Sequence, residues 1–355
     1  MYIKEDGLKV FFEELDSKYS TLVLTNYIWY RPYSWHLEQL DKNLVKGNVN
    51  LINFAEIQRK RNKAMTFLNE FKLFLRYVSK HNVILIDGYV NFWIYILIIF
   101  GFFHKKYLIL ASQNYESLEI SFKSILKYIF LKLAYLRADK IFICCNTSKK
   151  LFESYFGKNI SKKFVVYYSA INFENTTNYL PASRISEDYI LSCGQAGRDY
   201  ETLSKSLKNF PKETIINCPK KVFDSYSWNN NVTYKENMPV SDLLMLISKC
   251  RFLVLPLQNR LEASGLRILY WGLEMGKAII ISNTLSIEDI FSEDAPFLRV
   301  PCDDPNALSQ TMIDLDNDND KIRILGEKAR KWSKNNLLSS DHVNKIWKEQ
   351  VNNIV

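Results

Sequence analysis

One pattern recurs along the whole chain: a short apolar run closes on a polar or glycine turn, and a segment with helical spacing follows. In the first half the runs are Ser20 to Thr25, Val49 to Phe54, Val83 to Ile86, Tyr107 to Ala111, Asp139 to Cys145 and Phe164 to Tyr168. In the second half they are Tyr189 to Cys193, Thr214 to Asn217, Val232 to Tyr234, Phe252 to Pro256 and Ala278 to Ser282. Near-continuous apolar strands alternating with helices predict α/β architecture with parallel, doubly wound sheets. Such sheets bind ligands at the carboxyl ends of their strands, so the turns after the runs are where function is sought.

The chain of 355 residues is long enough for two domains. Hydrophobic periodicity lapses between Asn172 and Glu187, where Asn, Thr, Pro and Ser dominate. The expected division is a first domain over residues 1–178, a second over 179–336, and a C-terminal helix in 337–355 packing back on the first. Lys and Arg exceed Asp and Glu by 47 to 38, a net charge of +9. That balance fits an anionic substrate or an acidic membrane surface; no zinc knuckle, helix-turn-helix signature or RNP motif points to nucleic acid.

The six cysteines lack metal or disulfide-framework spacing and read as reduced thiols of a cytoplasmic protein. Residues 1–18 are charged throughout, unlike a signal peptide. The run Phe92 to Phe103 falls short of the ~20 residues of a spanning helix, and is either a core helix or one that dips into a membrane. The lysine-punctuated helices expected over 91–106 and 120–137, with the basic segment 58–63, fit two readings: a face meeting an anionic bilayer on the inner side of the membrane, or sheet-covering helices with lysines in water. No metal is expected. The Asp316-Asn-Asp318-Asn-Asp320 series has Lys321 where a calcium loop needs glycine, and reads as a polar turn with Asp320 capping a helix over Ile322 to Trp332.

Two turns carry chemistry. In Glu262-Ala-Ser-Gly-Leu-Arg-Ile-Leu-Tyr-Trp-Gly-Leu-Glu-Met-Gly276-Lys277, an acid precedes a small-residue turn that opens a helix. Leu266, Leu269, Tyr270 and Leu273 form its buried face, and Gly276 ends it. The carboxylate suits hydroxyls of a sugar, and free amides at Ser264-Gly265 suit a phosphate. In Gly194-Gln-Ala-Gly197-Arg198, small residues let backbone amides approach a phosphate while Arg198 supplies charge. Each turn alone also reads blandly, as a solvated acid or a short loop. Together, in one domain, they point to a nucleotide sugar.

The order Ile190 to Leu203, Phe252-Leu-Val-Leu-Pro256 and Glu262 to Ser282 resembles the second half of bacterial GT-B glycosyltransferases, family 4 in particular. The likeness covers roughly residues 139–335. It implies two Rossmann-like domains with parallel sheets facing a central cleft, a nucleotide-sugar donor held by the second domain and a glycan or lipid-linked acceptor by the first. On that resemblance the donor residues are Gly194, Gly197, Arg198, Glu262, Ser264, Gly265, Leu266 and Tyr270. Glu262 matches the acid that contacts the donor sugar. Tyr270 stands where the family has a ribose-binding glutamate, and is either a ribose ligand or core, with Glu274 a substitute. Gln195 replaces the usual arginine, leaving Arg198 as the diphosphate cation and Arg267 as a second.

The acceptor side is expected at Asn26, Tyr27, Asn114 and Glu116; after the fourth strand, where the family often has a histidine, this chain has Gln113-Asn114-Tyr115. The implied activity is sugar transfer in bacterial surface polysaccharide synthesis, with retention of configuration, no cofactor, and Glu262 and Arg198 at the chemistry. An inverting enzyme would instead need a base, for which Asp87 is the candidate. A catalytically altered binding subunit and an epimerase or phosphorylase are the alternatives.

Overall fold

The computed structural model describes residues 21–25, 49–53, 63–87, 92–103, 105–111, 122–166, 187–236, 238–261 and 263–336. The chain divides into two compact units, each built on a six-stranded parallel sheet.

The first sheet comprises β1 (Thr21–Thr25), β2 (Val49–Asn53), β3 (Val83–Asp87), β4 (Tyr107–Ala111), β5 (Lys140–Ile143) and β6 (Phe164–Val166), in the order β2-β1-β3-β4-β5-β6. The helices α1 (Lys63–Val78), α2 (Phe92–Ile99), α3 (Phe122–Arg137), α4 (Asn146–Phe156) and α5 (Lys158–Ser161) connect these strands. The core forms where Leu22, Ile84, Ile86 and Leu110 of the sheet meet Phe74, Ile94, Tyr135 and Phe152 of the helices. The expected long apolar helix stops at Ile99, because Gly101 takes a positive φ of 75° and turns the chain. Its eight residues span about 12 Å. Among the described residues no helix is long and apolar enough to cross a membrane.

The second sheet comprises β7 (Tyr189–Cys193), β8 (Glu213–Asn217), β9 (Val232–Lys235), β10 (Phe252–Leu255), β11 (Ala278–Ser282) and β12 (Leu298–Val300), in the order β9-β8-β7-β10-β11-β12. β7, β8, β10 and β11 carry runs buried on both faces, as a parallel sheet between helical layers demands. The connecting helices are α6 (Tyr200–Ser206), α7 (Lys220–Phe223), α8 (Val240–Lys249), α9 (Leu266–Glu274), α10 (Leu285–Ile290) and α11 (Pro305–Asp316), and α12 (Asn319–Asn336) follows. Chain order reverses between β7 and β10, so the crevice at their carboxyl ends is where a doubly wound sheet takes ligand. In the first sheet the reversal lies between β1 and β3, whose last residues Thr25 and Asp87 stand in register.

A repeated device closes the helices. Lys106 Nζ donates to the carbonyls of Ser79 (3.3 Å) and His81 (2.5 Å), just past α1. Lys163 Nζ reaches Leu136 O (2.7 Å) and Ala138 O (2.6 Å) at the end of α3, and Lys277 Nζ reaches Cys250 O (2.8 Å) after α8. Each ammonium satisfies carbonyls that the helix leaves unpaired and sits at the negative end of its dipole.

One expected helix cap is corrected, and two further helix starts are set locally. α12 begins at Asn319, and Asp318 rather than Asp320 caps it by accepting from Lys321 N at 2.8 Å. α8 starts at Pro239 without a side-chain cap. α4 is capped by Cys145, whose sulfur accepts from Ser148 N at 3.4 Å. Asp316, the last residue of α11, accepts from Arg251 Nε at 2.7 Å, and the turn expected in the aspartate series falls at Asn317 and Asp318, between α11 and α12.

Candidate functional site

At the switch point of the second sheet two loops are stitched together. β7 ends at Cys193 and the chain turns through Gly194 (φ 114°) and Gly197 (φ 63°), conformations that a side chain strains. β10 ends at Leu255, and the segment after it runs antiparallel to the turn. Asp199 N donates to Pro256 O (3.0 Å), Gln258 N donates to Gly197 O (2.9 Å), and Arg198 bridges Leu257. Ser282, the last residue of β11, accepts from Leu257 N at 2.9 Å and fixes the segment from below. Asp199 then caps α6 by accepting from Thr202 N at 3.0 Å.

This stitching places Arg198 in the interior, 7% exposed. Its Nε donates to Cys193 O (2.9 Å) and its Nη1 to Ala196 O (3.2 Å). Neither partner is charged, and no carboxylate pairs with the guanidinium among the described residues. Burial pulls the Arg198 pKa below its ordinary value, with only the nearby Tyr200 and Cys193 opposing. Burial also pushes the Cys193 thiol up to about 12, so it is neutral at physiological pH. A buried cation without a counter-charge is costly, and an anionic ligand removes that cost.

The second motif meets the first at this guanidinium. A β-carbon on Gly194 would stand 2.5 Å from Arg198 Nη2, and one on Gly265 would stand 3.0 Å from Nη1. Gly265 takes φ 78° as the N-cap of α9, and no side chain caps that helix. The backbone therefore arrives bare on both sides of the positive charge, beside a helix start whose dipole has the same sign. A β-carbon on Gly197 would lie 2.5 Å from Ser264 Oγ, so the two turns are in contact.

Of the residues expected at the donor, the fold brings together Gly194, Gly197, Arg198, Ser264, Gly265 and Leu266, the last being the buried first residue of α9. Tyr270 lies one turn farther along α9, 4% exposed, its ring 5.8 Å from that of Phe291. Glu274 is the last residue of α9, about 12 Å along the helix axis from Leu266. Glu262 lies outside the described residues, as do Asn26, Tyr27, Asn114 and Glu116. Asp87 is the last residue of β3, in register with Thr25.

Ser282 was not foreseen as a site-building residue, although a hydroxyl ending the run Ala278-Ile-Ile-Ile-Ser282 was a visible signal. Asp303, just past β12, was missed as well. It adopts φ 57°, and burial together with the charge of Asp199 raises its carboxyl pKa. Among the described residues no cluster of His, Cys, Asp and Glu could hold a metal ion.

No protein-family model and no curated protein matches the chain. Solved structures do. HepE of Anabaena in complex with UDP superposes with a TM-score of 0.68 at 12% identity, over 94% of this chain and 100% of that one. Sucrose-phosphate synthase of Thermosynechococcus elongatus gives 0.66 at 13%, over 94% and 99%. A glycosyltransferase of Rickettsia africae gives 0.62 at 16%, over 94% and 97%. The likeness identifies the fold as GT-B, with two Rossmann-like α/β units on parallel sheets.

Proposed function

We propose that the chain is a glycosyltransferase whose second unit holds a nucleotide-diphosphate sugar at the Arg198 site. The observation that carries this reading is the buried Arg198 guanidinium between Gly194 and Gly265 at the sheet's switch point, which no carboxylate of the described residues compensates. Arg198 faces the diphosphate, and amides of the Gly194–Gly197 turn and of Ser264, Gly265 and Leu266 complete its cradle. Glu262 takes hydroxyls of the sugar. The solved structures of the same fold named above support a nucleotide sugar, since HepE was also captured with UDP-glucose.

In the reaction, the bond between the anomeric carbon and the diphosphate oxygen breaks and a bond to the acceptor oxygen forms. Negative charge develops on the departing nucleoside diphosphate, where Arg198 and the uncapped start of α9 stabilise it. The acceptor proton passes to that leaving oxygen in a front-face, retaining reaction, without a cofactor. The acceptor is a glycan or lipid-linked saccharide of a bacterial surface polysaccharide, held by the first unit at the carboxyl ends of β1 and β3.

A thermal-shift screen with UDP-, GDP-, ADP- and TDP-sugars tests the donor reading. One base should stabilise the protein selectively, because only a ligand of the native state raises the melting temperature. A folded protein that none of them stabilises refutes it. With the donor in hand, the anomeric configuration of the product decides between retention and an inverting reaction with Asp87 as base.

A further inference from the structure

The helical layer of the first unit is apolar on both of its faces. Strands β2, β3, β4 and β5 step across the sheet in one direction, and right-handed crossovers therefore place α1, α2 and α3 side by side on one face. Ring contacts join α1 to α2 and to the turn after it: Phe67 to Trp93 at 5.9 Å and Phe74 to Phe103 at 5.8 Å. α3 turns Leu131, Ala134 and Tyr135 inward to the core. Its opposite side, which should be polar, carries a stripe from Ile125 to Leu136 that includes exposed Ile129 and Leu133. Phe67 and Leu68 of α1 are exposed too, and in the turn after α2 Phe100 stands 84% exposed beside Phe102. An exposed apolar stripe on the outer side of a helix in a folded domain signals a further apolar environment there.

The charges on this layer have one sign. α3 carries four cations and no acid. On α1 the single acid, Glu70, is buried, while Lys72 and Arg76 are exposed. Lys72, Arg76, Lys105 and Arg137 are exposed and pair with no acid among the described residues. A second copy meeting this surface about a two-fold axis would set cation against cation. An anionic bilayer satisfies both the apolar stripe and the charge.

We propose that the outer face of α1, α2 and α3 docks on an anionic lipid bilayer, with Phe100 and the Ile125 to Leu136 stripe entering the acyl boundary and the cations meeting lipid phosphates. The proposal rests on the proposed function only in that a lipid-linked acceptor would then be met at the membrane; docking itself requires no donor.

The test is co-sedimentation of the full chain, without nucleotide, on phosphatidylcholine vesicles with and without phosphatidylglycerol. Binding is expected on the phosphatidylglycerol vesicles, weakening as salt is raised. Phe100→Asp and Leu133→Asp, both at exposed positions, should each lower it about tenfold or more. Lys105→Gln and Arg137→Gln should each lower it about fivefold. All four variants should keep the wild-type melting temperature and nucleotide-induced shift, which separates docking from donor binding. Equal binding to both vesicle types, wild-type binding by the Asp variants, or no vesicle binding together with a dimer that Leu133→Asp dissolves would each overturn the proposal.

Discussion

Gly265 presses its bare backbone against Arg198, leaving 3.0 Å between the place of a β-carbon and Nη1. That contact joins two loops separated by more than sixty residues of chain, and it explains why both glycine turns are required around one guanidinium. Gly265→Ala should cost about 1–2 kcal/mol for the left-handed conformation, and should displace the cation as well. A lower urea midpoint together with weaker binding of the nucleoside diphosphate is the expected pair of results.

Arg198 itself should matter for ligand more than for fold. Arg198→Met removes an uncompensated buried charge along with two bonds to neutral carbonyls, so folding stability should stay within about 1 kcal/mol of wild type. Affinity for the nucleoside diphosphate should drop tenfold or more by calorimetry, as expected for losing charge-assisted bonds. Severe unfolding of this variant would mean that the arginine is structural.

The contact between the turns predicts a measurable coupling. A β-carbon on Gly197 would stand 2.5 Å from Ser264 Oγ and 2.7 Å from its Cβ, so Gly197→Ala should be strongly destabilising. Ser264→Gly in the same chain should recover about 1 kcal/mol or more, an interaction energy of the size that touching residues show. The strain of φ 63° should remain. A strictly additive double mutant would contradict the packing of the two loops.

Tyr270→Ala should destabilise the second unit by about 3–5 kcal/mol, the usual result of deleting a large buried aromatic. Tyr270→Phe keeps the ring packed on Phe291 and removes only the hydroxyl. Unchanged affinity for the nucleoside diphosphate in that variant is the expected outcome, and a large loss would assign the hydroxyl to the ribose.

His81 gives the first unit an acid-sensitive element. Burial lowers its pKa below 6.5, the charges of Lys106 and Lys80 push the same way, and the contact of Nδ1 with Tyr77 O at 2.6 Å opposes them. Below pH 6.5 the unfolded chain binds a proton that the folded one resists. The stability contributed by neutral His81 is therefore complete above that value and is lost as the pH falls through it. Urea midpoints on either side of pH 6.5 should differ in that sense, and His81→Gln should flatten the difference.

The strand runs are legible because they bury both faces: β4, β7 and β11 begin and end where their apolar residues do. β12 is not, since three residues at a sheet edge carry too little pattern to separate a strand from a turn. The length of α2 was likewise hidden. Gly101 could be accommodated in a helix, and only the packed turn that follows requires its positive φ.

For the site, the amino-acid sequence by itself determined the ingredients: two small-residue turns, each after a buried strand of the same domain, with a cation in one and a helix start in the other. Local propensity and hydrophobic period fix those features within a few residues of chain. Only the tertiary structure decided that Arg198 is buried with no carboxylate partner among the described residues, that Gly194 and Gly265 flank it, and that Ser282 holds the segment after β10 beside it. Those relations depend on strand order, which brings β7 beside β10 across sixty residues. No local signal encodes that neighbourhood. The same holds for α3: the sequence left a bilayer-facing surface and a sheet-covering helix both open, and the fold turns Ile125, Leu126, Ile129, Leu133 and Leu136 outward.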